Sequence, residues 1–217
     1  MRTTRVTVAA LLAAAALTLT ACGGQPADTN SVTQISGGQN KGKAATVLDR
    51  PFSKPELVLT DTTGKPWNLR EQTKGRPTLI YFGYTNCPDV CPLTMSNIAV
   101  AKKALPQTDQ DKLQVVFVTT DPERDTPDSL GAWLKSQDPS FTGLTGDFAT
   151  IQVAARSLGI GIEAAKKEAD GSVVSMHGAQ VIAFSPKTDE GYVLYGEGAT
   201  VDDYTKDLPK LIKGENP

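Results

Sequence analysis

A nearly continuous apolar run constrains this chain more than any other segment. It occupies residues 78–84 and reads TLIYFGY, which is typical of a strand buried on both faces of a sheet. Apolar residues at helical spacing follow over residues 92–105, and a second buried strand is predicted at residues 113–119. A strand, a helix and a second strand in this order indicate an α/β fold with a parallel pair of strands at its centre.

The segments around this unit complete the predicted fold. A small hairpin is predicted at residues 56–69, and further helices at residues 126–136, 148–158 and 201–213. Residues 173–184 are strand-like, include His177, and are predicted to pair with residues 192–195. The predicted class is therefore α/β and thioredoxin-like: a central mixed sheet flanked by helices, with an N-terminal hairpin and a flexible tether.

The N-terminus has the pattern of a targeting segment. Its start is cationic, and the apolar run at residues 6–19 is too short to span a bilayer comfortably. Residues 19–22 (LTAC) resemble a bacterial lipobox, which implies a signal peptide at residues 1–21 and lipidation of Cys22. The alternative is an ordinary secretory signal followed by a chance cysteine. We expect the chain on the extracytoplasmic face of the cell membrane, held there by the lipid anchor.

The segment after Cys22 is poor in large apolar residues. Residues 22–50 are rich in Gly, Ser, Thr, Asn and Gln, so a flexible tether is predicted there, with a reach of about 30 Å. The folded domain is predicted at residues 51–214. A formal net charge of −2 gives no basic footprint, so nucleic acid is not an expected partner.

Two cysteines lie where the central strand is predicted to end and the helix to begin. Cys87 and Cys91 occur in the segment FGYTNCPDVCP, residues 82–92. A helix N-terminus is expected to lower the pKa of both thiols. The i, i+4 spacing puts the Cα atoms about 6 Å apart in a helix, within reach of a disulfide or of one shared metal ion. Because Pro92 would clash with the carbonyl group of Pro88, a regular helix is predicted only from Pro92.

Three interpretations of this cysteine pair remain open: a structural disulfide, thiol–disulfide exchange, and metal binding. A structural disulfide over so short a loop stabilises the fold by only about 2 kcal/mol. Exchangers of the thioredoxin type pack a proline beside the dithiol, but no proline lies between Pro139 and Pro186. The chain's only histidine, His177, occurs there instead and favours metal binding. Two thiolates suit Cu(I) and an imidazole also suits Cu(II), whereas a structural zinc site usually takes four protein ligands.

Three features together resemble the Sco/SenC family of copper-binding assembly factors for cytochrome c oxidase. They are residues 82–92, residues 121–127 (DPERDTP) and the lone His177. The resemblance covers residues 51–213 and implies copper bound by Cys87, Cys91 and His177. It implies a metallochaperone rather than a general enzyme, one that delivers copper to the binuclear centre of oxidase subunit II.

The same resemblance implies an alternative function. In it, a redox disulfide between Cys87 and Cys91 forms as the chain reduces the cysteines of subunit II. An upstream copper donor or a thiol reductant would be a further partner.

Asp121 is a further candidate site residue, because the family places an acid near the copper at this position. We expect it to orient His177 or to assist proton movement. The alternative is a turn acid that caps Glu123 and Arg124.

Other neighbours of the expected ligands are assigned no metal bond. Met95 and Met176 are expected to pack rather than to act as thioether ligands. Tyr84 and Thr85 are expected to form the rim of the site. Many family members have histidine where this chain has Asn86, but that position is not a ligand in the family.

Overall fold

The computed structural model describes residues 44–169, 173–175 and 177–217. The predicted signal peptide at residues 1–21, the lipidation site Cys22, most of the predicted tether and Met176 lie outside these residues. None of the helices in the described part of the chain is long and apolar enough to cross a membrane.

Strands are followed by helices through the middle of the chain, as an α/β fold requires, and further strands lie on either side of this part. In order, they are β1 (Ala45–Ser53), β2 (Val58–Asp61), β3 (Pro66–Asn68), α1 (Leu69–Gln72), β4 (Thr78–Gly83), α2 (Val90–Lys103), α3 (Gln107–Lys112), β5 (Gln114–Thr119), α4 (Pro127–Gln137), β6 (Thr142–Thr145), α5 (Phe148–Ser157), β7 (Lys166–Lys167), β8 (Val173–Val174), β9 (Val181–Phe184), β10 (Glu190–Tyr195) and α6 (Val201–Ile212).

The main sheet is mixed, with β4 near its middle. Its strand order is β1-β10-β9-β4-β5-β6-β2-β3, and β7 pairs with β8 in a separate ribbon. β5 runs parallel to both β4 and β6, whereas β9 runs antiparallel to β4. Every residue of β4 is buried. The predicted central strand, the parallel pair and the α/β class are therefore confirmed.

Both faces of β4 contribute to a hydrophobic core. Leu79 and Tyr81 belong to a cluster that includes buried residues of α2, α4 and α6. Ile80 and Phe82 belong to a second cluster, which includes residues of α5. Because side chains alternate along a strand, one apolar run can supply both clusters.

The predicted tether is wrong at its C-terminal end. Residues 45–50 belong to β1, which pairs antiparallel with β10 and places Ala45 opposite Tyr195. Most of β1 is exposed or half-buried, because it is an edge strand. Its composition therefore resembles that of a linker. The folded domain includes β1 and so extends to Ala45, six residues before the predicted start at residue 51.

Helix α2 begins earlier than predicted. It starts at Val90, so that Cys91 and Pro92 both lie in its first turn. The expected clash does not arise, because Pro88 precedes the helix and a first-turn proline lacks only an N–H group that would be unpaired there.

The predicted strand at residues 173–184 is interrupted. Only β8 and β9 are regular, and His177 lies in the irregular segment between them. The prediction also missed α3 and β6. Helix α3 buries no residue, and strand β6 is only four residues long. Neither segment therefore shows a clear apolar period in the sequence.

Candidate metal centre

Cys87 and Cys91 lie in the corner between β4 and α2. Cys91 is fully buried in the first turn of α2, and Cys87 precedes that turn. The backbone N–H of Cys87 donates to the carbonyl oxygen of Tyr84, at 3.2 Å. The backbone N–H of Cys91 donates to the sulfur of Cys87, at 3.4 Å. Both side chains are thiols in this structure.

His177 completes a compact donor set with the two sulfurs. Its Nε2 atom lies 3.5 Å from the sulfur of Cys87 and 3.5 Å from that of Cys91. The three ligand atoms all lie within 4.8 Å of one another. Bond lengths of about 2.3 Å to sulfur and about 2.1 Å to imidazole put the sulfur and nitrogen ligands of one first-row ion about 3.6–3.8 Å apart. The side chains therefore fit a single metal ion with little rearrangement.

Burial favours the neutral forms of two of these groups. It raises the pKa of the Cys91 thiol to about 12, and it lowers the pKa of His177. The expectation that the helix N-terminus lowers both thiol pKa values is wrong for Cys91, because the loss of hydration on burial outweighs the hydrogen bond from Tyr81 that lowers this pKa. A neutral imidazole is the form that binds metals.

Two aromatic rings and one carbonyl group orient the imidazole. The ring of Tyr84 meets it edge-on, with centroids 5.3 Å apart at 70°, and the ring of Tyr81 does so at 6.2 Å and 73°. The Nδ1 atom of His177 lies 3.3 Å from the carbonyl oxygen of Gly178. A proton on Nδ1 satisfies that contact and leaves the Nε2 lone pair facing the sulfurs.

The carboxylate of Asp121 binds Arg124 rather than His177. The carbonyl oxygen of Asp121 also accepts from the N–H groups of Arg124 and Asp125. Within the described residues, no hydrogen bond joins Asp121 to His177, so the expected direct orientation of the imidazole by Asp121 is not observed. The turn-acid alternative agrees with the structure at Arg124, whereas none of these hydrogen bonds involves Glu123. The Arg124 guanidinium lies 6.0 Å from the ring centre of Tyr84, which makes any link from Asp121 to His177 indirect.

Asp125, to which the sequence pattern assigns no role, is a fully buried acid that positions the loop before Cys87. Its carboxylate accepts hydrogen bonds from the N–H and hydroxyl groups of Thr85, at 3.0 and 2.6 Å, and from the hydroxyl of Thr119, at 2.6 Å. Asp125 therefore ties the cysteine loop to the end of β5. Residues 121–127 form an irregular loop, and such a loop has no period that predicts which of its acids points inward.

The remaining neighbours lie around this centre. Met95 is fully buried in the core cluster that contains Cys91, as expected of a packing residue. Tyr84 is buried and Thr85 is half-buried beside it. Asn86 is exposed, and its amide donates to the hydroxyl of Thr85, at 3.4 Å.

Comparisons with known proteins agree with this geometry. The SCO1/SenC family model matches residues 45–213. The structure of Bradyrhizobium japonicum ScoI with copper bound is 33% identical, covers 75% of this chain and 98% of its own, and has a TM-score of 0.62. The solution structure of apo Sco1 from Thermus thermophilus is 30% identical, covers 80% of this chain and 99% of its own, and has a TM-score of 0.67.

Curated relatives match over a smaller share of their own length. The mitochondrial SCO1 homolog 1 of Arabidopsis thaliana is 31% identical over 185 residues, which are 85% of this chain and 52% of that protein. The matched regions span 38 to 62% of the first curated relatives. Likeness to the solved Sco structures confirms the predicted thioredoxin-like fold. On its fold, its donor set and a family match over most of its length, this chain belongs to the SCO1/SenC family.

Proposed function

We propose that the chain binds one copper ion through Cys87, Cys91 and His177. The observation that carries the proposal is the imidazole nitrogen 3.5 Å from both sulfurs. Two thiolates select soft Cu(I), and the imidazole also accommodates Cu(II). The copper in the Bradyrhizobium japonicum relative supports the same choice of metal.

The size of the donor set favours a transferable ion over a structural one. Among the described residues, the cluster holds only these three Cys, His, Asp or Glu side chains. Structural zinc sites take four protein ligands. A three-ligand site leaves room for an incoming ligand from another protein.

The proposed activity is delivery of copper to the binuclear centre of cytochrome c oxidase subunit II. An acceptor thiolate binds the ion before a thiolate of this chain leaves, so the ion keeps its oxidation state and no electron is transferred. His177 lies outside the regular strands, so its release breaks no sheet hydrogen bond. Lipidation at Cys22 would hold the domain on the extracytoplasmic face of the membrane, near the oxidase.

Copper titration of the reduced protein tests the binding step. We expect one equivalent to bind, with a thiolate-to-copper(II) absorption band and an EPR signal that His177→Ala abolishes or alters strongly. Asn86→Ala is the control, because Asn86 is an exposed neighbour outside the donor set. Tight binding of one equivalent of Cu(I) by the double variant Cys87→Ala, Cys91→Ala would refute the proposal.

A transfer assay tests delivery separately from binding. Copper-loaded protein is mixed with the reduced soluble copper domain of subunit II, and the metal content of each is measured after separation. Copper is expected in the subunit II domain. Retention of copper by this chain, at equal concentrations, would contradict delivery while leaving binding intact.

A second candidate function is reduction of the subunit II cysteines. The supporting observation is two thiols that approach within 4.8 Å. Cys87 and Cys91 would form a disulfide, and their two electrons and two protons would reduce one disulfide of the partner. This candidate predicts that His177→Ala keeps the exchange rate of the wild type. An oxidase defect in cells that carry His177→Ala, with exchange unchanged in vitro, would favour copper delivery instead.

A further inference from the structure

The buried phenol of Tyr81 lies against the sulfur of Cys91. The hydroxyl oxygen is 3.4 Å from the sulfur, and the exposed fractions of the two residues are 1% and 0%. Both side chains belong to the core cluster between β4 and α2. Because water is excluded there, an electron-rich sulfur depends on donors from the protein.

Gly83 leaves the space in which this contact forms. A Cβ atom at position 83 would lie 2.7 Å from the Cε1 atom of Tyr81 and 2.8 Å from the sulfur of Cys91. Both distances are shorter than real Cβ contacts allow. The absence of a side chain at the end of β4 therefore lets the phenol ring and the sulfur approach each other.

The two sulfurs have different donors. The sulfur of Cys87 accepts from the backbone N–H of Cys91, whereas the sulfur of Cys91 faces the hydroxyl of Tyr81. The Tyr81 ring also packs edge-on against the imidazole of His177. Tyr81 thus touches two of the three proposed ligands without being one itself.

We propose that Tyr81 is a positioning residue for this centre, whose hydroxyl donates to the Cys91 sulfur and favours the reduced form of the dithiol. A donor lowers the energy of the sulfur lone pairs, and hydrogen bonds around a cysteine sulfur tune the potential of metal sites. The part of the inference that concerns copper rests on the proposed function. The part that concerns the dithiol rests on the chain's own residues.

The substitution Tyr81→Phe tests the dithiol part in metal-free protein. Wild type and variant are equilibrated with mixtures of reduced and oxidised dithiothreitol. Formation of the Cys87–Cys91 disulfide passes two electrons and two protons to oxidised dithiothreitol, which becomes the dithiol. We expect half of the variant to be oxidised at a ratio of oxidised to reduced dithiothreitol that is about fivefold lower than the ratio required for the wild type. This change corresponds to the loss of one hydrogen bond.

Tyr204→Phe is the matched control. It makes the same chemical change in the same core cluster, at a buried hydroxyl that has no hydrogen-bond partner among the described residues. Its dithiol equilibrium is expected to equal that of the wild type. The same equilibrium in Tyr81→Phe as in the wild type and the control would overturn the proposal.

The copper-loaded protein provides a spectroscopic readout. In Tyr81→Phe, the thiolate-to-copper(II) band is expected at longer wavelength, because a sulfur without its donor is easier to oxidise. An unmoved band in a variant that still binds one equivalent would overturn the proposal for the metal site. Failure of the wild type to bind copper would contradict the proposed function, whereas the dithiol equilibrium would still test Tyr81.

A measurement on protein with an intact Tyr81 covers the case in which Tyr81→Phe fails to fold. Tyrosine labelled with ¹³C at Cζ is followed by NMR before and after disulfide formation in Tyr84→Phe, which keeps the other ring packed on His177 but removes its tyrosine signal from the spectrum. One tyrosine resonance is expected to move as its hydroxyl loses the thiol acceptor. Unchanged tyrosine resonances would overturn the proposal.

Discussion

The thiol of Cys91 experiences two opposing effects at the residue scale. The N-terminus of α2 stabilises a thiolate, but complete burial removes the hydration of that charge. Burial dominates and raises the pKa of Cys91 to about 12. We therefore predict that iodoacetamide labels Cys91 at pH 8 at least about tenfold more slowly in the folded, metal-free protein than in urea, because the thiolate is the reactive form.

Mass spectrometry of the labelled peptides measures this difference. The urea-unfolded chain is the internal control, since Cys87 and Cys91 are then equally hydrated and are expected to react at similar rates. Equal labelling of Cys91 in the folded and unfolded chains would show that burial does not protect the thiol.

At the scale of secondary-structure elements, one ion pair joins segments that lie far apart in the sequence. Lys54, just after β1, is buried and donates to the carboxylate of Asp189, at 2.8 Å, and to the carbonyl oxygen of Thr73, at 3.1 Å. Asp189 lies in the turn between β9 and β10 and also accepts from the N–H of Gly75, at 3.0 Å. The contact therefore fastens three parts of the chain.

The pKa of Asp189 gives this contact a pH dependence. Burial raises that pKa, but the hydrogen bonds from Lys54 and Gly75 outweigh it, and the net pKa lies below 3.8. A lowered carboxyl pKa stabilises the fold above the unfolded value and loses that effect as pH falls through the folded value. We predict that Asp189→Asn lowers the free energy of unfolding by about 1 kcal/mol at pH 7, a modest value because a third of the side chain is exposed.

Urea denaturation at pH 7 and at pH 2.5 checks this prediction. The difference between wild type and Asp189→Asn is expected to be smaller at the lower pH, because part of the Asp189 carboxylate is then protonated in the folded state. Asparagine also tolerates the positive φ of 58° at this position, so backbone strain does not obscure the comparison. An equal difference at both pH values would contradict the assignment to the carboxylate.

Strand β1 is expected to stabilise the domain although most of it is exposed. It covers the edge of β10, with Ala45 opposite Tyr195 and Val47 opposite Val193. We predict that a chain beginning at residue 51 melts at least about 4 °C below one beginning at residue 44, and associates more readily through the uncovered edge. Thermal unfolding and light scattering measure the two effects. Identical behaviour of the two chains would mean that β1 is dispensable.

At the scale of the whole molecule, the metal centre depends on the position of one loop. The Cβ of an alanine at position 178 would lie 2.4 Å from Cγ2 of Ile160 and 2.5 Å from Oε1 of Gln180. Gly178→Ala must therefore displace the Ile160 and Gln180 side chains or the backbone beside His177. We predict at least about tenfold weaker copper binding, about 1.4 kcal/mol, with both thiols of the centre still titratable.

Gly161→Ala is the control for this effect, because a Cβ there meets nothing within 4 Å. A competition assay with a copper chelator measures affinity, and a thiol assay on the unloaded protein counts the cysteines. Unchanged affinity in Gly178→Ala would show that the close packing of this glycine does not position His177.

Local patterns in the sequence determined several features of this protein. The buried run at residues 78–84 became β4, and the helical spacing after it became α2, because both patterns report burial of neighbouring residues. The scarcity of cysteine and histidine also restricted the donor set to Cys87, Cys91 and His177. These conclusions needed only periodicity, position and residue type.

Only the tertiary structure decided which distant segments meet. The pairing of β1 with β10, the partner of Asp121 and the contact of Tyr81 with Cys91 each depend on packing between elements. The pKa of Cys91 depends on how completely that packing excludes water. A linear pattern contains local preference but no distances between segments, which is why the sequence determined the ligand types and the fold determined their environment.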